Sequence, residues 1–202
     1  HMMLLLLAPM GFGLAAITPP LMHLLFGPKW DEAVPVMRIL CIYMVLGAIS
    51  HWPGVVYKAV GRPGILNAIS ATKLAMLLPT LWLGAMWGGI EGVAWGQLIV
   101  KSVGIGIDMI IIARFINISV LQNLRSIAPP MLAALVMAWG MRGILLLDPT
   151  LTSPTVLALA AATGAALYLG LIWMLDGQAL RALWSLARSI IRRERPAPSI
   201  ST

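Results

Sequence analysis

Three ionisable side chains stand where the chain is otherwise apolar: Lys73, Lys101 and Asp108. A lysine carried into hydrocarbon costs roughly 2.5 to 3.5 kcal/mol on insertion scales, so each needs a counter-charge or a wet cavity. Lys101, Gly104 and Asp108 fall at i, i+3 and i+7, which sets them on one face of a helix. Two arrangements fit. In the first, Lys101 snorkels, or pairs with Asp108 two turns away or with an acid on a helix outside this stretch of chain. In the second, Lys73 and Lys101 line a cationic, water-filled cavity that receives an anionic head group. Arg62, with Lys58, would then mark the entrance for the same anion, although loop charges that only set topology explain both equally well.

Catalysis finds no comparable footing. His23 and His51 lie on different apolar segments, without an HExxH pattern or a carboxylate at ligand spacing. Nucleophile-elbow, P-loop and dinucleotide-binding patterns are absent, and no two of the 7 acids are spaced for acid–base work on one helical face. Cys41 is the single cysteine, so it forms no intramolecular disulfide and no cysteine metal cluster; a small packed hydrophobe is its expected role. No catalytic residue, metal site or cofactor is expected, and the chain reads as a non-enzyme.

The elements that carry these charges follow from composition. Of 202 residues, 60% are hydrophobic and 10% charged, whereas soluble domains carry roughly a quarter charged residues. A chain this short cannot bury so much apolar surface in a core of its own. Lipid must supply the solvent. Six near-continuous apolar segments, at residues 3–26, 33–56, 64–87, 89–113, 127–147 and 154–175, reach the roughly 20 residues that a bilayer-crossing helix needs. The expected fold is all-α: a polytopic membrane helical bundle, six transmembrane helices over residues 3–175, then a C-terminal amphipathic interfacial helix over 177–195 and a disordered tail at 196–202. Turn chemistry separates the spans in GPKWDE, VGRPG, WGGIEG and LLDPTLTSP; the fourth connection, RFINISVLQNLRS, reads as a short interfacial helix. Pro19-Pro20 and Pro129-Pro130 should bend or delay their helices.

Charge gives the orientation. The formal +7 is no nucleic-acid footprint, because it is spread between apolar runs and gathered in RALWSLARSIIRRER rather than on a soluble face. Lys58, Arg62, Arg114, Arg125, Arg181, Arg188, Arg192, Arg193 and Arg195 fall on one side, which the positive-inside rule makes cytoplasmic, together with the C-terminus. Trp30, Trp82 and Trp87 fall near the outer interface, and Trp52 and Trp173 near the inner one. In GPKWDE, Gly27 and Pro28 stop one helix, and Asp31 and Glu32 start the next at its positive dipole end. Leu180, Leu183, Trp184, Ala187, Ile190 and Ile191 make the apolar face of the 177–195 helix, suited to the inner leaflet. Small residues predict close packing at Gly88, Gly92 and Gly96, and along Ala158, Ala161, Ala162, Ala165 and Ala166.

The order PMGFGLAAITPPLMHLLFGPKWDEAVPVMRIL, YKAVGRPG, GGIEGVAWG and IAPPMLAALVM resembles the C-terminal half of bacterial polysaccharide or O-antigen unit flippases. These belong to the multidrug/oligosaccharidyl-lipid/polysaccharide exporter superfamily, and the likeness is to its lipopolysaccharide and exopolysaccharide biosynthesis branch, over about residues 5 to 140. The resemblance implies two helical bundles around a central cavity, in a bacterial inner membrane. It implies translocation of an undecaprenyl-diphosphate-linked glycan by alternating access, without ATP hydrolysis. Lys73, Lys101 and Arg62 would then attract the diphosphate, with Asp108 on the same cavity face. Membrane lipids and the N-terminal bundle of the same transporter are the other expected partners, and the chain reads as a piece of that longer protein. Other readings are a small-cation or drug exporter of the superfamily, an inactive or structural membrane fragment, and a membrane enzyme of glycolipid assembly.

Overall fold

The computed structural model describes residues 2–59, 63–116, 120–147 and 154–175. Within them the chain is helical throughout: α1 (Met2–Phe26), a 3-10 helix (Pro28–Ala33), α2 (Val34–Ala59), α3 (Pro63–Ile116), α4 (Val120–Leu147) and α5 (Pro154–Leu175). The described residues hold 5 helices long and apolar enough to cross a membrane. Arg62, Asp148 and the predicted 177–195 helix lie outside them.

α3 runs for 54 residues, more than twice the roughly 20 that cross a bilayer of about 30 Å at 1.5 Å per residue. The backbone breaks at Gly89, with φ 56 and ψ −136, a conformation that a Cβ would strain. The helix thereby doubles back into two antiparallel arms, 63–88 and 90–116. Their register is set by small residues. A Cβ on Gly92 would strike the backbone of Gly84, and one on Gly96 would stand 3.1 Å from the Thr80 carbonyl oxygen. Gly88, the remaining member of the predicted glycine series, has nothing within 4 Å of where its Cβ would be.

Around the first helix the others assemble in order. α1 packs on α2 and on α4, α5 covers α4 and one edge of α1, and the α3 hairpin leans on α2 with little contact to α4. Gly11 lets α1 approach α2, since a Cβ there would collide with the Val45 side chain and come within 2.9 Å of the Cys41 carbonyl. Gly27, with φ 79, ends α1; Phe26 and Trp30 then stack 5.7 Å apart across the turn. Asp31 and Glu32 close the 3-10 helix just ahead of α2, where their charges meet its dipole.

Two expectations about helix ends and faces are corrected. α4 is not delayed by Pro129-Pro130, and residues 120–126 form its first turns rather than a separate interfacial helix. Nine residues precede Pro129 in α4, enough to build two turns before any backbone donor is lost. In α5, Ala158, Ala161, Ala162, Ala165 and Ala166 are exposed; the packed stripe is Ala160, Gly164, Tyr168 and Ile172. Gly164 receives the Met141 side chain, a deeper fit than an alanine face offers.

Tyr168 shows why that stripe wins. Its hydroxyl donates a buried hydrogen bond to the Leu5 carbonyl at 2.7 Å. That carbonyl would ordinarily accept from the amide four residues on, but Pro9 stands there and has no N–H. An α5 side chain thus completes the backbone of α1. Tyr168→Phe should lower stability by about 1–2 kcal/mol, because a buried acceptor is left without a donor. An unchanged thermal midpoint of the purified protein would show that the bond contributes nothing net.

Candidate functional site

Lys73 stands ten residues into the first arm of α3 and Asp108 eight residues before the end of the second, about 15 Å and 12 Å from their shared end of the hairpin. The antiparallel register brings them together. Lys73 Nζ donates to Asp108 Oδ2 at 2.6 Å, a charge-assisted bond between positions 35 apart in the chain. Asp108 is 3% exposed, so its carboxylate depends chiefly on that directly bonded ammonium for charge compensation, with Lys101 farther off in the same cavity. Gly104 is what lets the lysine across: a Cβ at that position would sit 2.8 Å from Lys73 Cε. The first pairing considered for Asp108, with Lys101 on its own helix, is therefore not the one formed.

Lys101 takes a different partner. Its ammonium lies 5.3 Å from the ring centroid of Tyr43 on α2, over the face of the aromatic. A cation–π contact of this kind contributes about 0.5 to 2 kcal/mol and leaves the positive charge formally uncompensated. Among the described residues no carboxylate pairs with it. Two ammonium groups and one carboxylate leave one net positive charge at this depth.

These side chains border a common cavity of about 400 Å³ between α2 and the two arms. Tyr43 and Ser50 come from α2, Ser70 and Lys73 from the first arm, and Gln97, Lys101 and Asp108 from the second, with three leucines and Val100 filling the remaining wall. The volume lies in the range of small-ligand sites, which run to roughly 300–1,000 Å³ with few polar groups on apolar walls. A phosphate or carboxylate entering here would meet an unpaired ammonium, hydroxyls and an amide. Lys73, Lys101 and Asp108 thus share one site, while Arg62 lies outside the described residues. Sequence reasoning missed Gln97, although Gln97, Lys101, Gly104 and Asp108 run at i, i+4, i+7 and i+11 along one face. Tyr43 and Ser50, seven apart on α2, carry the same signal.

Three curated relatives of this chain are named for the biosynthesis of succinoglycan, lipopolysaccharide and teichuronic acid. The chain is 31% identical over 198 residues to the succinoglycan biosynthesis transport protein ExoT of Rhizobium meliloti, covering 96% of this chain and 39% of that protein. It is 27% identical over 173 residues to the teichuronic acid biosynthesis protein TuaB of Bacillus subtilis, covering 85% and 36% of the two chains. It is 27% identical over 95 residues to the lipopolysaccharide biosynthesis protein WzxC of Escherichia coli, covering 47% and 19%. The chain thus spans less than two fifths of the length of each of these relatives. No family model matches the chain. No solved structure matches it.

Proposed function

We propose, from the premise that this chain is a homologue of the polysaccharide biosynthesis transport proteins of bacteria, that it forms one bundle of a carrier for lipid-diphosphate-linked oligosaccharide repeat units. The carrier moves the diphosphate head group and its glycan from the inner to the outer leaflet of the inner membrane by alternating access. The observation that carries the reading is Lys101: an ammonium with no carboxylate in ion-pair contact among the described residues, deep in an apolar hairpin, on the wall of a cavity where two lysines face one aspartate. An anion is the natural complement of such a site. The polyprenyl tail would stay in lipid while the diphosphate meets the lysines.

The two arms of α3, about 39 and 40 Å long at 1.5 Å per residue, are each long enough to cross the bilayer, which supports a reading of six crossings among the described residues. An even number returns the C-terminus to the side where the chain enters. The distribution of loop arginines and lysines supports a cytoplasmic reading of that side. In this reading the N-terminal bundle of the whole transporter supplies the opposite wall, and Arg62, expected from the sequence to serve the same anion, is left to the mutagenesis of the whole transporter. A small-cation exporter of the superfamily would need a free acid at the cavity. Here the buried acid, Asp108, is already bound to Lys73, which favours the anion.

Lys101→Glu in the whole transporter should lower polysaccharide export at least about tenfold, since a like charge facing the diphosphate is worth several kcal/mol. Lys101→Arg should keep most of the export. Quantifying extracellular glycan against the amount of transporter in the membrane decides the matter. Normal export by Lys101→Glu would discard the anion cavity and leave a structural membrane segment as the reading.

A further inference from the structure

The aspartate beside Lys73 bears on how tightly such a cavity holds its cargo. The pair is asymmetric: the Lys73 side chain is 31% exposed and that of Asp108 4%. Asp108 is short and fixed in the wall, whereas Lys73 has a four-carbon stem that crosses the notch left by Gly104 and ends at the cavity. Lys73 is therefore the member that can turn toward an incoming anion. A phosphate oxygen approaching this ammonium finds one of its three N–H donors, and much of its charge, already committed to Asp108 Oδ2 at 2.6 Å. Lys101, resting on the Tyr43 ring, has no carboxylate in ion-pair contact among the described residues.

We infer that Asp108 is a built-in competitor for the cargo's anion: Lys101 holds a diphosphate outright, and Lys73 joins in full only by giving up its bond to Asp108. The inference rests on the cavity being an anion site. A diphosphate has enough charge and enough oxygens to engage both lysines, while a single phosphodiester is satisfied by Lys101 alone. Drawing Lys73 away strands a carboxylate that is almost wholly buried, and the penalty for that offsets part of the second contact. The pair thus weakens the grip on a diphosphate and closes again when the cargo leaves. A carrier needs both properties, because a site that binds its cargo too well cannot release it on the far side. Asp108 in this role sets affinity without touching the cargo.

Binding to the purified whole transporter tests this with two probes, farnesyl diphosphate and the single phosphodiester dioctanoyl phosphatidylglycerol. Asp108→Asn should tighten farnesyl diphosphate about tenfold to a hundredfold, since Lys73 no longer has a carboxylate to abandon. Phosphatidylglycerol should change by less than about threefold, because Lys101 meets its one charge in either protein. The double variant Lys73→Met/Asp108→Leu keeps the cavity's net charge, and apolar replacement of a buried pair is well tolerated. It should weaken farnesyl diphosphate at least about tenfold and leave phosphatidylglycerol alone. A purely structural pair, or a general effect of cavity charge, predicts no change for that double variant, and such a result overturns the inference. If wild type binds farnesyl diphosphate no better than Lys101→Glu does, the anion cavity itself is wrong and the competitor falls with it. If Lys101 matters and neither Asp108 variant moves the diphosphate, the cavity stands and the competition is refuted.

Discussion

Gly92→Leu is expected to pry the two arms of α3 apart and to lower stability by more than about 3 kcal/mol, at the top of the range for overpacking. The reason is the identity of the atoms in the way. A Cβ at position 92 would overlap the carbonyl carbon and oxygen of Gly84, and one at position 84 would meet the carbonyl of Gly92. Side chains can swing aside, but a helix backbone can only move as a whole. Moving it separates the first arm from the second and shifts Lys73 away from Asp108, which are placed by the same register. Gly88→Leu provides the contrast, four residues earlier in the same series with nothing near its absent Cβ, and should stay within about 0.5 kcal/mol of wild type. Thermal midpoints of the two purified variants decide it, and equal losses would mean that the close approach at Gly84 and Gly92 is not what joins the arms.

The same pair of glycines marks how far the sequence could be read. Helix ends were legible because Gly-Pro and Gly-Gly steps interrupt long apolar runs: α1 stops at Phe26 before Gly27, and α3 reverses at Gly89, both near the expected positions. Which face of each helix packs was not legible. In water, burial separates apolar from polar faces; in lipid both faces are apolar, so periodicity says little about what lies inside. The alanines of α5 look like a packing face and are exposed, whereas the Ala160–Ile172 stripe is chosen by one glycine and one tyrosine hydroxyl. Pro9 carried the clue to that hydroxyl, because it frees the Leu5 carbonyl, yet its partner sits 163 residues away. The candidate site divides in the same manner. Lys73, Lys101 and Asp108 stand out as charges within apolar runs, but the partner of Asp108 depends on the hairpin register, which composition does not fix.

Lys73→Met alone should cost about 3–5 kcal/mol, the loss typical of stripping one partner from a buried ion pair. Asp108, left 96% enclosed by its surroundings as a side chain, has no second cation in hydrogen-bond contact to turn to. The double variant Lys73→Met/Asp108→Leu should recover nearly all of that loss, since the desolvation of both charges disappears with their attraction. Lys101→Met, by contrast, should lose no more than about 0.5–2 kcal/mol, the worth of its contact with the Tyr43 ring. The two lysines thus divide the work unequally. Lys73 answers to the fold first, because the buried carboxylate claims it, and Lys101 is left available for cargo. Thermal unfolding of the three variants measures that division directly. A Lys73→Met protein as stable as wild type would mean that Asp108 is compensated from elsewhere, and then neither the hairpin nor the competition for the ammonium of Lys73 would rest on this ion pair.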